Sequence, residues 1–305
     1  MPELQDKRIA INREIRDKIL ALMSQAGSYA TDIPGFRLVR RESGNELRVF
    51  YKPFIGLTVQ GSKRTIIGDE EYAYGAYHVF VTGVDMPSES HILNASPRDP
   101  FLALSLDLDR TLVAQLAAEA LAVQEAGRCA GKSVAIVEAD EKLMAAFLRL
   151  LDLLDEPSEI PIMAPLLVRE IHLRLLLGPQ GQWLRSICSL CSPGNQIAKA
   201  ITWLREHFRE PLSVDELAAQ TGMSPSTFYR NFKSITTYSP LNFQKSLRLY
   251  EAQRLMLADG KSVADAAFSV GYESSTQFIR EYRRIFGESP KRDISRRLKA
   301  LKQLT

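Results

Sequence analysis

The residues with the most chemistry to offer lie in the last third of the chain. The stretch GYESSTQFIREYRRIFGESP (residues 271–290) carries three arginines and a run of small polar side chains, with Phe278 and Tyr282 one helical turn apart. Aromatics on one face and guanidinium groups on the other suit a helix that lies against something acidic, since arginine grips phosphate and base edges bidentately. A second arginine set, FRLVRR (residues 36–41), sits near the other end of the chain. Catalytic patterns are missing: there is no G-x-S-x-G, no phosphate-cradling glycine loop and no H-E-x-x-H. His78, His91, His172 and His207 are scattered, and Cys188 and Cys191 form a lone C-x-x-C without two further ligands at zinc spacing. Cys129 stands in GRCAGK, without the setting of a reactive thiol. No metal and no cofactor are expected.

The elements that must position those arginines repeat. GMSPSTFYRNFKSITTYSP (residues 222–240) spaces Phe228, Arg230 and Phe232 as Phe278, Arg280 and Tyr282 are spaced later, and each phenylalanine is followed 12 residues on by a proline. Upstream, Ser213 and Ser262, Ala218 and Ala267, and Gly222 and Gly271 all lie 49 apart. Two copies are too few for a solenoid and read as two similar units of one domain. Each unit opens with a serine cap and an acid in the first turn, then an apolar face at helical spacing. A glycine able to take positive φ closes that helix, a second serine cap follows (Ser224, or a serine near 274), and an amphipathic helix comes next. This is the helix-turn-helix pattern, whose second helix enters the DNA major groove. Residues 241–257 form a connecting helix of about 25 Å, suited to holding two recognition helices near one DNA turn apart.

Residues 195–300 resemble the DNA-binding domain of the AraC family of transcription regulators. SVADAAFSVGYESSTQFIREYRRIFGESPKRDI carries the family's G-Y-x-S, F-x-R-x-[FY] and G-x-S-P, and TWLREHFREPLSVDELAAQTGMSPSTFYRNFK matches the first half of that domain. The resemblance implies base-facing positions at Ser226, Tyr229 and Arg230 in the first unit, and at Ser275, Thr276, Gln277 and Arg280 in the second. It also implies an activator more often than a repressor, with RNA polymerase as a further partner open to such a regulator. Looser likenesses in residues 51–75 and 160–187 point to an N-terminal type of the same family, a small cupin-like barrel followed by dimerising helices. The expected architecture is therefore α+β, with an effector-binding and dimerisation domain over 1–192 and an all-α DNA-binding domain over 193–305.

Charge supports the division. Residues 195–305 hold 18 Lys+Arg against 11 Asp+Glu, a net +7, while the remainder holds 21 against 25, a net −4. A basic part beside an acidic one is what a chain shows when only one domain meets phosphate. Arg292 and Arg296, in the basic run after Pro290, are expected on the phosphate backbone. Residues 30–107 favour strands, with Gly68-Asp69 as a hairpin turn, and three helical segments follow, the last two separated by Pro157 and Pro161. The leucine stripe of 143–154 is core, with a part open to a dimer face. Dimerisation is expected through helices between 134 and 190, and SPGNQ (residues 192–196) reads as the linker. No apolar run approaches 18 residues and the charged N-terminus is not a signal peptide, so a cytoplasmic protein is expected.

The signal is read from FRLVRR. In a strand, Arg37 and Arg41 share one face and Arg40 takes the other. R-x-x-x-R is similar to the arginine motif of PilZ domains, which implies cyclic di-GMP, with Lys63 and Arg64 adding charge; the companion [D/N]-x-S-x-x-G is missing, because Asp99 stands where the glycine belongs. Two other readings stay open: a solvated arginine edge that discourages strand pairing, and a small apolar or aldehyde-like ligand inside the barrel. A metal-dependent cupin-type enzyme is the alternative of a different class.

Overall fold

The computed structural model describes residues 2–44, 46–120, 133–188 and 192–302. The chain opens with a long helix, α1 (Pro2–Leu22), and then makes nine strands in succession: β1 (Gly27–Ala30), β2 (Phe36–Arg41), β3 (Glu46–Tyr51), β4 (Phe54–Gln60), β5 (Ser62–Ile67), β6 (Glu70–Gly75), β7 (His78–Thr82), β8 (Met86–Leu93) and β9 (Phe101–Asp107). Helix α2 (Arg110–Ala120) precedes one more strand, β10 (Val134–Glu138). A helical layer follows: α3 (Glu141–Asp152) with a 3-10 turn, α4 (Ile160–Leu177) and α5 (Gly181–Cys188). The remainder is helical: α6 (Pro193–His207), α7 (Val214–Gln220), α8 (Pro225–Thr236), α9 (Pro240–Ala258), α10 (Val263–Ser269), α11 (Ser275–Phe286) and α12 (Pro290–Lys302). The expected α+β class is what the structure shows, with nine strands ahead of most of the helices, although α1 precedes the sheets and β10 follows α2.

The strands form two antiparallel sheets, one in the order β1-β2-β9-β4-β7-β10 and one in the order β3-β8-β5-β6. Alternation sorts each strand of the larger sheet: in β9, Leu102, Leu104 and Leu106 are buried, while Phe101, Ala103 and Ser105 line the space between the sheets. In the same way β4 sends Ile55, Leu57 and Val59 into the core on one face and Phe54, Gly56 and Thr58 to the lumen on the other. Lys52 and Pro53 carry the chain from one sheet to the other between β3 and β4. Gly68, at φ 60°, makes the expected β5–β6 hairpin turn.

Several elements depart from the sequence reading. Residues 134–138, expected with the dimerising helices, are strand β10, which adds to the edge of the larger sheet beside β7. Helix α1 was not foreseen among so many charges; it buries Ile15, Ile19 and the adjoining Met23, and Asn12 Nδ2 donates to the Val59 carbonyl at 3.0 Å. The stretch read as a linker is the start of α6: the Ser192 hydroxyl accepts from Asn195 N, Pro193 takes the first turn, and Gly194 and Asn195 are buried. A Cβ at Gly194 would stand 2.8 Å from the Ser186 carbonyl oxygen, so α6 packs hard against α5. The leucines of α3 are core: Leu143, Leu150 and Leu151 are all buried.

Apolar packing does not stop at residue 192. One cluster runs from Ile15 through the barrel and its helices to Phe228, Phe232 and Phe243. A second, from Leu249 to Phe286, belongs to the last four helices. The first helix-turn-helix unit thus shares a core with the N-terminal part, and the second has its own.

Candidate nucleic-acid interface and sensor cavity

Both helix-turn-helix units are built the same way. In the first, the Ser213 hydroxyl caps α7 by accepting from Glu216 N, and Ser224 caps α8 by accepting from Thr227 N. In the second, Ser262 accepts from Asp265 N and Ser274 from Gln277 N, which fixes the serine expected near 274. The turns match bond for bond: Met223 N donates to Ala218 O at 3.0 Å and Tyr272 N to Ala267 O at 3.1 Å, with Gly222 at φ 67° and Gly271 at φ 88°. Gly271 is further required because a Cβ there would meet the Arg209 carbonyl oxygen at 2.4 Å.

Phe228 with Phe232, and Phe278 with Tyr282, bury the inner faces of α8 and α11 at ring separations of 5.5 Å. The outer faces therefore present polar groups to solvent. Ser226, Tyr229 and Arg230 are exposed on α8, and Thr276, Gln277 and Arg280 on α11, with Ser275 half-buried at its start. Arg283 and Arg284 extend that basic face by a turn. Arg292 is exposed on α12; Arg296 is also exposed but bonded to Glu288 at 2.7 Å and Asp293 at 2.9 Å.

What holds α11 differs from what holds α8, and composition gave no sign of it. Asp293 is fully buried and accepts from the Tyr282 hydroxyl (2.6 Å), Gln253 Nε2 (2.6 Å), Arg297 Nε (2.7 Å) and Arg296. Burial alone would push its carboxyl up, but the bonds from Tyr282 and Arg297 and the Arg297 charge outweigh it and hold the pKa below the ordinary value. The matching position of the first unit is Phe243, whose ring meets Phe232 edge-on at 5.4 Å. A hydrogen-bonded carboxylate has replaced an aromatic contact. Glu281, also buried, accepts from Lys245 (2.9 Å), Tyr272 (2.8 Å) and Gln277 (3.3 Å), tying α9, the turn and the recognition helix together. Arg248, on α9, donates to the carbonyls of Phe208 (2.6 Å), Glu210 (2.9 Å), Arg209 (3.1 Å) and Gly271 (3.0 Å). That single guanidinium joins the end of α6 to the second turn.

The five basic residues expected at an effector site do not converge. Arg37 pairs with Asp107. Arg40 points to the other face of β2, where it meets the Met23 carbonyl and Glu42 at 2.7 Å. Arg64 lies outside the barrel, 3.6 Å from Glu71. Arg41 and Lys63 alone face the lumen, a cavity of about 170 Å³ lined by both sheets. There Lys63 Nζ donates to the Tyr51 hydroxyl at 2.7 Å, and Tyr51 meets Ser90 Oγ at 2.7 Å. Alternation on β2 separates Arg40 from Arg41, and a surface gripping a large phosphate ligand is not assembled.

Strand β3 is the wall between that cavity and the DNA-binding part. Leu47, Val49 and Tyr51 line the lumen. Between them, Phe50 packs on Phe243 (5.6 Å) and Tyr250 (6.0 Å), and Arg48 donates to the Ile285 carbonyl at the end of α11. Gly68 N donates to the Tyr238 hydroxyl at 3.1 Å, a second contact between barrel and helices.

His172 and Cys188 are buried in the packing. His172 is buried, with Nδ1 on the Val168 carbonyl (2.7 Å) and Nε2 accepting from Asp109 N (3.0 Å), and desolvation holds its pKa below the ordinary value. Desolvation pushes the buried Cys188 thiol up to about 11; Cys129 and Cys191 lie outside the described residues. Among the described residues no three His, Cys, Asp or Glu side chains are grouped to hold a metal ion, and no helix is long and apolar enough to cross a membrane.

Comparison with known proteins places these features. Residues 32–183 match the family described as AraC-type transcriptional regulator N-terminus, and residues 217–296 match a helix-turn-helix domain. The transcriptional activator RhaS of Klebsiella pneumoniae is 34% identical over 99 residues, 32% of this chain and 35% of that one, so the chain spans about a third of that relative's length. Two solved structures of ToxT from Vibrio cholerae share the fold across both domains. An apo form aligns with a TM-score of 0.59 at 10% identity over 87% of this chain and 98% of that one. A form with a bound unsaturated fatty acid gives 0.54 at 9% identity over 88% and 96%. The matches are to regulators of transcription, which sets aside the cupin-type enzyme alternative.

Proposed function

Because the chain belongs to the AraC family of transcription regulators, we propose that it binds specific duplex DNA as a dimer and activates transcription under the control of a small molecule held in its barrel. The observation that carries this reading is the pair of serine-capped helices, α8 and α11, each with its aromatic pair buried and its polar and basic side chains turned outward. Activation rests on the name of the RhaS relative. Selecting bound fragments from genomic DNA with the full chain, then testing the enriched sequence by mobility shift, checks it. Recovery of random fragments alone would overturn sequence-specific binding.

For the effector, the geometry favours a small ligand inside the barrel over cyclic di-GMP. A lumen of about 170 Å³ is far smaller than a cyclic dinucleotide, and the arginines that would hold one are spread over different faces. Titration with cyclic di-GMP is expected to give no heat at tens of micromolar. That ToxT, which shares this fold, has been solved with a bound unsaturated fatty acid supports a small-molecule effector for this chain.

The dimer face we assign to α4. Ile162 is 72% exposed and Leu166 57%, and Leu177 is exposed on the same stripe, an apolar line that a monomer leaves in water. Ion pairs flank it, Arg169 with Glu119 and Arg149 with Glu170, as rims flank an apolar seam between two copies. Ile162→Glu with Leu166→Glu is expected to convert a micromolar dimer to monomer by sedimentation while the chain stays folded by circular dichroism, with a melting temperature lowered only by the lost association. A wild-type monomer at that concentration would count against this face.

A further inference from the structure

Two cations look into the barrel, and among the described lining residues no carboxylate answers them. Lys63 is surrounded by protein, and the surface it keeps faces the lumen, where its ammonium sits on the Tyr51 hydroxyl and 5.3 Å from the ring centre. Arg41 donates to main-chain carbonyls, those of Gly27 and of Arg40 (2.9 Å). Among the described residues that line the cavity there is no Asp or Glu. The nearby carboxylates are engaged elsewhere: Asp107 with Arg37, Glu42 with Arg40, Glu89 with Arg48 and His91, Glu71 with Arg64. Positive charge taken out of water without a counter-ion is costly. Desolvation works against both charges and lowers the pKa of Arg41; at Lys63 the Tyr51 and Tyr74 phenols outweigh desolvation and the neighbouring Arg41 charge, so the ammonium is held. The rest of the lining is mostly apolar and aromatic, with Phe54, Tyr74, Phe80 and Phe101 facing the space beside the hydroxyl-bearing Thr58 and Ser105. An apolar cavity of about 150 Å³ holds benzene.

We propose that the lumen binds a small aromatic monocarboxylate, its carboxylate held by Lys63 and Arg41 and its ring by the surrounding aromatics. The assignment rests on the reading of the N-terminal domain as a sensor. A planar carboxylate fits the guanidinium fork of Arg41 and the ammonium of Lys63, and completes the charge of a site otherwise left with two cations. One strand then carries the signal: Leu47, Val49 and Tyr51 would touch the ligand, while Arg48 and Phe50 touch α9 and α11.

The test is calorimetry on the full chain with benzoate, and with benzyl alcohol as a neutral molecule of the same size. Benzoate is expected to bind about tenfold or more tightly than benzyl alcohol, as a charge-assisted contact requires. Lys63→Met should remove that preference and leave the benzyl alcohol affinity little changed. Val49→Phe, which fills the lumen, should abolish both, and the melting temperature of each variant shows whether it has folded. Equal affinities for the two molecules, benzoate binding unchanged in Lys63→Met, or no heat from either at millimolar concentration would overturn the proposal. A mobility shift with and without benzoate separates the two readings: heat with unaltered DNA affinity supports the site and removes the sensor role.

Discussion

Asp293→Ala is expected to destabilise the second helix-turn-helix unit by about 3–5 kcal/mol, the cost of stranding the partners of a buried carboxylate. Its loss leaves the Tyr282 hydroxyl without its acceptor inside the core, leaves Gln253 Nε2 only its weaker bond to the Tyr282 hydroxyl at 3.1 Å, and takes an ion-pair partner from both Arg297 and Arg296. The damage should stay local, because the last four helices pack on their own apolar cluster. Hydrogen exchange is expected to rise across α11 and α12 with the barrel unchanged, and a urea melt of the full chain should show an early transition. A loss below about 1 kcal/mol would mean that water replaces the carboxylate at little cost. The same group predicts a pH dependence. Its folded pKa lies below the unfolded value of 3.8, so its contribution is present above that value and is lost as the pH falls through the folded pKa. Glu281, whose pKa is likewise held down by Lys245, Tyr272 and Gln277 against the effect of burial, acts in the same direction. Specific DNA binding through α11 should therefore fail in acid below about pH 4 before the barrel unfolds.

Arg280→Ala is expected to cost about 1–3 kcal/mol of specific DNA binding and to relax base preference at one position of the site. The side chain is exposed on α11, on the face opposite Phe278 and Tyr282, so its removal leaves the core untouched and the effect reads recognition alone. Arg292→Ala should behave differently: affinity falls for all sequences alike and the salt slope drops by about one. Arg296, though expected beside it, already bonds Glu288 and Asp293 and should contribute less to phosphate binding and more to the fold of α12. Mobility shifts on the selected sequence and on point-substituted sites, at two salt concentrations, separate the three. Unaltered specificity in Arg280→Ala would mean that α11 does not read the groove through that residue.

The helix-turn-helix units were legible in the sequence because everything that makes them is local. Serine caps, the glycine of positive φ and the Phe-x-x-x-Phe or Phe-x-x-x-Tyr anchor act over fewer than about 25 residues, and the second copy repeated the signal in register. The strand-rich N-terminal part and its Gly68 turn were legible for the same reason. The faces of FRLVRR were also given by the period of two, but not what each face would meet. Only the pairing of β2 with β9, 60 to 70 residues away, sent Arg41 into the lumen and left Arg37 to Asp107. Lys63 reaches the same lumen from the opposite sheet, so the two-cation site is made by the packing of sheets and by no motif. Strand β10 escaped notice because it completes the larger sheet only after α2 has intervened. Residues 192–196 looked like a linker from their composition, yet Ser192 and Pro193 are as suited to opening a helix, and the packing of Gly194 on α5 decided between the two. Asp293 and Arg248 look in the sequence like any surface charge on a basic helix. The burial of Asp293 and the bonds that both make across forty residues come from helices meeting, a many-body contact that no local spacing encodes.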